Sequence, residues 1–262
     1  MAEKQYSFDD GASYERMMGV WSRLAGEIFL DWLAPPSNAR WIDIGCGNGA
    51  FTELIVARCA PAEVQGIDPS EGQLAFARQR HTAGVAEFRQ GGAMALPFPD
   101  ARFDVAVMAL VIFFVPEPAK GVAEMARVVG PGGVIAAYAW DIVGGGFPME
   151  PFQAEMRAMG HAAPRPPSYE ASRIDVMRDL WTGAGLAAVE TREITVQRTF
   201  ADFDDFWTTC LLSPAIGPVV AAMTSGDVER LKTGVRARLQ ADAAGRITLS
   251  ARANAVKGRV RR

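Results

Sequence analysis

The sequence has little cysteine and little histidine. Its 262 residues include three cysteines, Cys46, Cys59 and Cys210, which are far apart along the chain, and two histidines. A disulfide framework needs paired cysteines, and a structural metal site needs clustered cysteine and histidine ligands. We therefore expect a reducing compartment, no disulfide framework and no metal cofactor.

Long hydrophobic runs and a strong net charge are also lacking. The longest apolar run, 105–115, is too short to cross a membrane, and the first residues are polar and charged. The formal net charge of −3 provides no basic field for nucleic acid. We expect a cytoplasmic protein whose partner is a small molecule, with no membrane or nucleic-acid role. The oligomeric state stays open.

What the sequence does contain is an apolar fraction of 49%, distributed in short runs that alternate with amphipathic stretches. Short apolar runs predict buried parallel strands, and the stretches between them predict helices. The alternation indicates an α/β fold with a mainly parallel sheet. The glycine-rich stretch 130–133 predicts a turn before the fifth strand. The five strands are predicted at 41–44, 63–68, 85–89, 103–108 and 134–140.

The stretch 41–52, WIDIGCGNGAFT, is typical of a strand, a glycine-rich turn and the start of a helix. Gly45, Gly47 and Gly49 permit positive φ and let a ligand approach the backbone closely. This geometry predicts a ligand at the carboxyl end of the strand, against a helix N-terminus. The glycine spacing also fits a dinucleotide site, but the Asp43 carboxylate would repel a pyrophosphate and would suit an ammonium group.

Asp68 ends the second predicted strand, 23 residues after Gly45. A carboxylate at this position can accept hydrogen bonds from both hydroxyls of a ribose. Pro69 follows it, and Ser70 is suited to cap the next helix, which places Gln73 in the first helical turn.

Four stretches in order resemble motifs of class I S-adenosylmethionine-dependent methyltransferases. They are D-x-G-x-G at 43–47, GIDPS at 66–70, L-P-F-x-D-x-x-F-D at 96–104 and R-V-V-x-P-G-G at 127–133. The third is similar to a segment of the group that includes ubiquinone and menaquinone biosynthesis enzymes. The resemblance covers about 40–140. It implies S-adenosyl-L-methionine as cofactor and S-adenosyl-L-homocysteine as product.

The resemblance also implies a set of cofactor-binding residues. Gly92 stands where the family usually has an acid that contacts the adenine amino group, so one polar contact is absent from the pattern. Ala93 can still offer its backbone N–H to the adenine, Met94 can pack against it, and the backbone of Ala109 and Leu110 can hold the methionine part. The full predicted set is Asp43, Gly45, Cys46, Gly47, Gly49, Asp68, Pro69, Gln73, Gly92, Ala93, Met94, Ala109 and Leu110.

The chain reads as one methyltransferase domain, 1–262, with additions to the cofactor-binding core at 40–140. Apolar residues at helical spacing predict an N-terminal helix at 13–34. Two roles for this helix stay open, packing in the core and covering the cofactor as a lid, and one helix can do both. Two segments, 141–170 and 200–244, predict helical insertions that cap the substrate. The resemblance implies a Rossmann-like, doubly wound, mainly parallel sheet of about seven strands, the last antiparallel.

Aromatic residues near the strand ends and in the insertions predict a mostly apolar pocket. Its expected lining is Tyr14, Met18, Trp21, Phe113, Phe114, Trp140, Phe147 and Trp207. No catalytic histidine is evident, but methyl transfer does not require one. Weak candidates for a general base are Asp141, His161 and Tyr169, each of which also has a simpler structural role as a turn, exposed or packing residue.

The expected activity is methyl transfer from S-adenosylmethionine to a small apolar or aromatic metabolite, mainly through proximity and orientation. Two alternatives stay open. A non-catalytic S-adenosylmethionine-binding protein is compatible with Gly92, and an NAD(P)-dependent oxidoreductase is compatible with the glycine spacing but not readily with Asp43.

Overall fold

A seven-stranded sheet forms the centre of the computed structural model, which describes residues 15–82, 84–161 and 164–261. Tyr14 therefore lies outside the described residues. The strand order is β3-β2-β1-β4-β5-β7-β6. The strands are β1 (Arg40–Ile44), β2 (Glu63–Asp68), β3 (Ala86–Gln90), β4 (Phe103–Ala109), β5 (Val129–Trp140), β6 (Ala187–Phe200) and β7 (Ile247–Arg259).

The first five strands run parallel, and β7 lies antiparallel between β5 and β6. The predicted α/β fold, with about seven strands and an antiparallel last strand, is confirmed. The strand order reverses direction between β1 and β4. In open α/β sheets this switch point leaves a crevice at the carboxyl ends of the strands, where ligands bind.

Helices cover both faces of the sheet, because successive strand residues point to opposite sides. Trp41 lies in one apolar cluster with Phe29 and Phe51, whereas Ile42 lies in a second cluster with Trp181. No helix of the described chain is long and apolar enough to cross a bilayer. The helices are α1 (Val20–Leu33), α2 (Ala50–Cys59), α3 (Glu71–Ala77), α4 (Pro118–Val128), α5 (Glu150–Ala158), α6 (Ile174–Gly183), α7 (Phe203–Leu211), α8 (Gly217–Ala221) and α9 (Ser225–Ala237).

The N-terminal segment starts as a π-helical turn, Glu15–Gly19, and continues as α1. Helix α1 packs closely on α2 through Gly26, where an added Cβ would lie 3.0 Å from Leu54 Cδ2. Two 3₁₀ turns, Ile112–Phe114 and Tyr169–Ser172, lie near the carboxyl ends of the strands and contact each other.

The two predicted insertions contain helices and pack against each other. Helix α5 belongs to the first, and α7, α8 and α9 belong to the second. The rings of Phe152 and Trp207 are 4.8 Å apart between centroids, and Arg238 Nε donates to Glu155 Oε2 at 2.8 Å. We call these two insertions the cap.

The prediction of a turn at 130–133 is wrong, because the stretch belongs to β5. The N–H of Gly132 donates to the carbonyl of Val260 at 2.8 Å, and the N–H of Val260 donates to the carbonyl of Gly133 at 3.0 Å. Gly132 has φ of +83°, and the pairing register with β4 shifts here. The glycines therefore permit a bulge within the strand rather than ending it.

Candidate functional site

The glycine-rich loop after β1 is held against β2 by backbone hydrogen bonds and packs against the side chain of Val111, which follows β4. The N–H groups of Gly45 and Cys46 donate to the carbonyl of Ile67 at 2.6 and 3.0 Å. Gly45 has φ of +73°, and an added Cβ would lie 2.5 Å from a methyl carbon of Val111. Around Gly47, by contrast, the nearest atom to an added Cβ would be 3.9 Å away. One glycine thus allows close packing, and the other leaves open space for a ligand.

Asp68 links this loop to the end of β2. Its Oδ2 accepts the N–H of Gly47 at 2.9 Å, and its Oδ1 accepts the N–H of Ser70 at 2.9 Å. Burial raises the pKa of Asp68, and these two hydrogen bonds oppose that shift. Each carboxylate oxygen keeps a further acceptor site. The geometry therefore fits acceptance of hydrogen bonds from a ribose.

Asp43 is fully buried beneath the same loop. Its Oδ2 accepts a hydrogen bond from Thr52 Oγ1 at 2.6 Å, whereas its Oδ1 has no partner among the described residues. Burial raises the pKa of Asp43 to about 7, while the bond from Thr52 lowers it. A buried carboxylate oxygen without a donor is costly, and a cationic or donating ligand group would remove that cost.

Gln73 adds a second unpaired polar atom. Its side chain is buried, its Nε2 has no partner in the described chain, and its Oε1 is the atom nearest the open side of Gly47. Ser70 caps α3 by accepting the N–H of Gln73 at 3.3 Å, as predicted. Pro69 is exposed and accepts a hydrogen bond from Gln90 Nε2. Gln73 thus brings an unsatisfied donor to the glycine-rich loop.

The backbone N–H of Cys46 helps to fix the glycine-rich loop, whereas its thiol is buried. Its Sγ lies against β2, 3.0 Å from where a Cβ on Gly66 would be. Burial raises the pKa of Cys46 well above its usual range, so the side chain stays a neutral thiol.

The segment that is expected to bind the adenine of the cofactor follows β3. Gly92 is exposed, and nothing lies within 4 Å of where its Cβ would be. Its carbonyl accepts the N–H of Ala95 at 3.3 Å, which closes a tight turn. Ala93 and Met94 are partly buried against the second apolar cluster. The space at Gly92 can therefore accept the acidic side chain that the resemblance leads one to expect.

Leu110 follows Ala109 at the carboxyl end of β4 in a left-handed backbone conformation, with φ of +64°. Its N–H donates to the carbonyl of Tyr138 at 2.8 Å. A non-glycine residue in this region is strained, and such residues concentrate at ligand sites. Leu110 also lines the cavity beside this strand end, so it joins the expected cofactor region to that cavity.

A cavity of about 390 Å³ lies between the strand ends and the cap. Most of the predicted pocket residues that the structure describes line it: Met18, Phe113, Phe114, Trp140 and Phe147. Its volume and mostly apolar wall are those of a small-molecule site. Of the three candidate bases, Tyr169 is on this wall.

The remaining predicted site residues lie elsewhere. Trp21 is buried against Trp140, with centroids 6.5 Å apart, and Trp207 packs on Phe152 and Phe203. Neither lines the cavity.

Two of the candidate bases are also away from the cavity wall. The carboxylate of Asp141 pairs with Arg252 and accepts the N–H of Gly144, so it stabilises a turn. His161 lies three residues after the end of α5, and its charge acts on Asp227. Neither candidate base is placed to reach a ligand in the cavity.

Sequence patterns missed the polar part of the cavity and a contact over the glycine-rich loop. The polar lining comes from isolated polar and charged residues, which carry no periodic signal: Glu150, Gln153, Arg157, Arg165 and Glu170. Arg165 alone had a local cue, because it lies within the proline-rich stretch 164–167.

The contact over the loop comes from the N-terminal segment. Glu15 Oε2 accepts hydrogen bonds from Arg80 at 2.8 Å and from Asn48 Nδ2 at 3.3 Å. Arg80 also donates to the carbonyl of Asn48 at 2.6 Å and pairs with Glu53. The start of the N-terminal segment is therefore tied to the glycine-rich loop, which is compatible with a lid.

Comparison with known proteins agrees with this geometry. Residues 42–137 match the family model described as a methyltransferase domain. The chain is 36% identical over 121 residues to the ubiquinone/menaquinone biosynthesis C-methyltransferase of Dinoroseobacter shibae, covering 45% of this chain and 48% of that one. It is 39% identical over 131 residues to the trans-aconitate 2-methyltransferase of Methylobacterium nodulans, covering 48% of each. The chain thus spans about half the length of these relatives.

Among solved structures, a phosphoethanolamine N-methyltransferase of Haemonchus contortus, in complex with S-adenosylhomocysteine, has the same fold. The TM-score is 0.59 at 16% identity, over 97% of this chain and 58% of that one. The motifs, the strand order and the matched domain predict the same family. Residues 42–137 thus match a methyltransferase domain, and the chain has the fold of a solved methyltransferase.

Proposed function

We propose that the protein transfers a methyl group from S-adenosylmethionine, the cofactor of its family, to a small apolar or aromatic molecule. One observation carries the proposal. The glycine-rich loop has two unpaired polar atoms at its side, Oδ1 of Asp43 buried beneath it and Nε2 of Gln73, whose side chain lies beside Gly47. Leu110, at the end of the neighbouring strand β4, lines a mostly apolar cavity. The relatives' names, which refer to ubiquinone, menaquinone and trans-aconitate, support a small-molecule acceptor.

Each end of the cofactor has residues suited to it. In this proposal the buried carboxylate of Asp43 stabilises the cationic amino group, directly or through the loop above it. Asp68 accepts hydrogen bonds from the ribose, and the turn at 92–94 receives the adenine. The strained backbone at Leu110 faces the methionine part, where the cofactor would meet the cavity.

When bound, S-adenosylmethionine would supply a methyl group attached to a cationic sulfur. The sulfur is the leaving group and takes the electron pair of the S–C bond. The chain's own residues must align the acceptor with that methyl group and exclude water. The apolar wall formed by Phe113, Trp140 and Met18 suits this role. Tyr169 is the candidate base that stays available for an acceptor that must lose a proton.

Calorimetric titration with S-adenosylhomocysteine tests the cofactor assignment. The wild-type protein should bind it and should show no comparable binding of NADH. Asp43→Ala should weaken binding by about tenfold or more, because a buried charged contact is lost. Gly92→Asp should keep or improve the affinity, because the site has room for the side chain. Asp175→Asn, at an exposed carboxylate on α6, is the matched control and should leave the affinity for S-adenosylhomocysteine unchanged.

The proposal fails if S-adenosylhomocysteine does not bind at millimolar concentration. To separate an enzyme from a binding protein, the chain is incubated with labelled methyl donor and a metabolite extract. Transfer of label to a small molecule supports the enzyme. Tight cofactor binding without any labelled product supports the non-catalytic alternative.

A further inference from the structure

Among the residues that the structure describes, four charged side chains line the cavity, and one of them lacks a countercharge. Glu150 and Arg157 pair with each other. Glu170 lies 3.5 Å from Arg173, which is outside the cavity. No carboxylate of the described residues pairs with Arg165. The cavity therefore presents one unneutralised guanidinium to whatever enters it.

Arg165 is held in position by an aromatic ring rather than by an acid. Its guanidinium carbon lies 4.8 Å from the centroid of the Tyr169 ring. A cation over an aromatic face is attracted to it, and the planar guanidinium keeps its edge donors free in this arrangement. Neighbouring prolines at 164 and 166–167 restrict the backbone on both sides.

Tyr169 is itself anchored to the apolar end of the cavity. Ser168, directly before it, donates its N–H to the carbonyl of Phe113 at 3.0 Å and its Oγ–H to the carbonyl of Pro116 at 3.3 Å. The turn that carries Tyr169 is thus fixed to the segment that supplies Phe113 and Phe114. The cation and the apolar wall belong to one connected surface.

We propose that the methyl acceptor is an apolar or aromatic carboxylic acid whose carboxylate is bound by Arg165 and whose body occupies the apolar wall. This inference rests on the proposed methyltransferase function. A carboxylate matches the paired donors of a guanidinium. A doubly charged phosphate fits less well, because Glu150 and Glu170 share the wall with a single unpaired cation.

Matched ligand pairs test the inference by calorimetry in the presence and absence of S-adenosylhomocysteine. The pairs are phenylacetate with phenylacetamide and octanoate with octanamide, and phenyl phosphate is the third arm. The wild-type protein should bind at least one acid about tenfold more tightly than its amide, because the ion pair with Arg165 is lost in the amide. Phenyl phosphate should bind more weakly than phenylacetate.

Arg165→Gln should reduce the preference for acid over amide below about threefold while the amide affinity stays unchanged. Arg165→Lys should keep part of the preference, because the charge remains but the paired donors are lost. Arg230→Gln, at an exposed arginine of the cap that is outside the cavity, is the control and should keep the full preference.

The inference is overturned if no acid exceeds its amide in the wild-type protein, or if Arg165→Gln retains the preference. A stronger binding of phenyl phosphate would overturn the assignment to a carboxylate. Cofactor binding is measured separately. A protein that binds S-adenosylhomocysteine but does not prefer acids refutes this inference alone, whereas one that prefers acids but does not bind the cofactor refutes the proposed function.

Discussion

Asp43 combines three properties at a single residue: full burial, one satisfied carboxylate oxygen and one unsatisfied oxygen. Burial disfavours the charged form, so the folded protein holds a proton here to a higher pH than the unfolded chain does. The motif at 43–47 indicates that an acid belongs at this position. The position of that acid beneath the loop, rather than on its open surface, is a property of the folded structure.

Stability without ligand should fall as the pH rises from about 4 to about 7. In that range the unfolded chain has released the proton of Asp43, whereas the folded protein still binds it, because the pKa of Asp43 is raised from 3.8 to about 7. Three pKa units correspond to an upper limit of about 4 kcal/mol. Asp43→Asn should flatten this dependence, as measured by urea unfolding between pH 4.5 and 7.5. An equally steep dependence in the variant would contradict the assignment.

At the scale of elements, the N-terminal segment has two different attachments. Helix α1 is buried in the main apolar cluster, where Phe29 and Tyr138 have ring centroids 4.7 Å apart. The π-helical turn before it is tied to the glycine-rich loop by hydrogen bonds of Glu15. The helix is therefore part of the core, and we propose that the turn before it acts as a lid.

Glu15→Gln should accelerate release of S-adenosylhomocysteine several-fold and change the melting temperature little. Glu15 is half exposed, so its ion pair with Arg80 contributes little to global stability, about 1 kcal/mol or less. Its hydrogen bonds nevertheless connect the segment to Asn48 and Arg80, and these contacts are the basis of the proposed lid role. Stopped-flow displacement measures the release rate. Glu27→Gln, which breaks an exposed ion pair on α1, should leave the rate unchanged, and an equal effect of both variants would refute a lid role.

At the scale of the whole molecule, the cap shares the main apolar cluster with the sheet. Phe152, Phe206 and Leu231 from the cap belong to the same buried cluster as Trp41 and Phe29. Apolar contacts that are continuous from one part to another couple the unfolding of both parts. The cap is therefore expected to unfold together with the sheet.

Phe152→Ala should lower the free energy of unfolding of the entire protein by about 3–5 kcal/mol, because it leaves a cavity at a fully buried ring. Urea unfolding followed by far-ultraviolet circular dichroism and by tryptophan fluorescence should give one coincident transition in both proteins. Phe76→Ala, at a ring that is 40% exposed on α3, should lower the free energy of unfolding much less. Two separated transitions would show that the cap is an independent unit.

Much of the fold could be predicted because its signals are local. The runs at β1 and β4 are apolar because both faces of these strands are covered, and the glycines at 45, 47 and 49 all have positive φ, between +52° and +78°. The turn at 130–133 was mispredicted, because the hydrogen bonds from Val260 that keep it in the sheet come from the far end of the chain.

The sequence by itself determined the strand–helix alternation, the glycine-rich loop and the resemblance to a methyltransferase domain, because each depends on residues that are close together in the chain. Only the tertiary structure decided which aromatic rings face the cavity and which are core. Trp140 lines the cavity and Trp21 does not, although the two rings touch. The unpaired charge of Arg165 is likewise decided by which carboxylates the folded cap brings near it. Both depend on contacts between distant segments, which local composition does not encode.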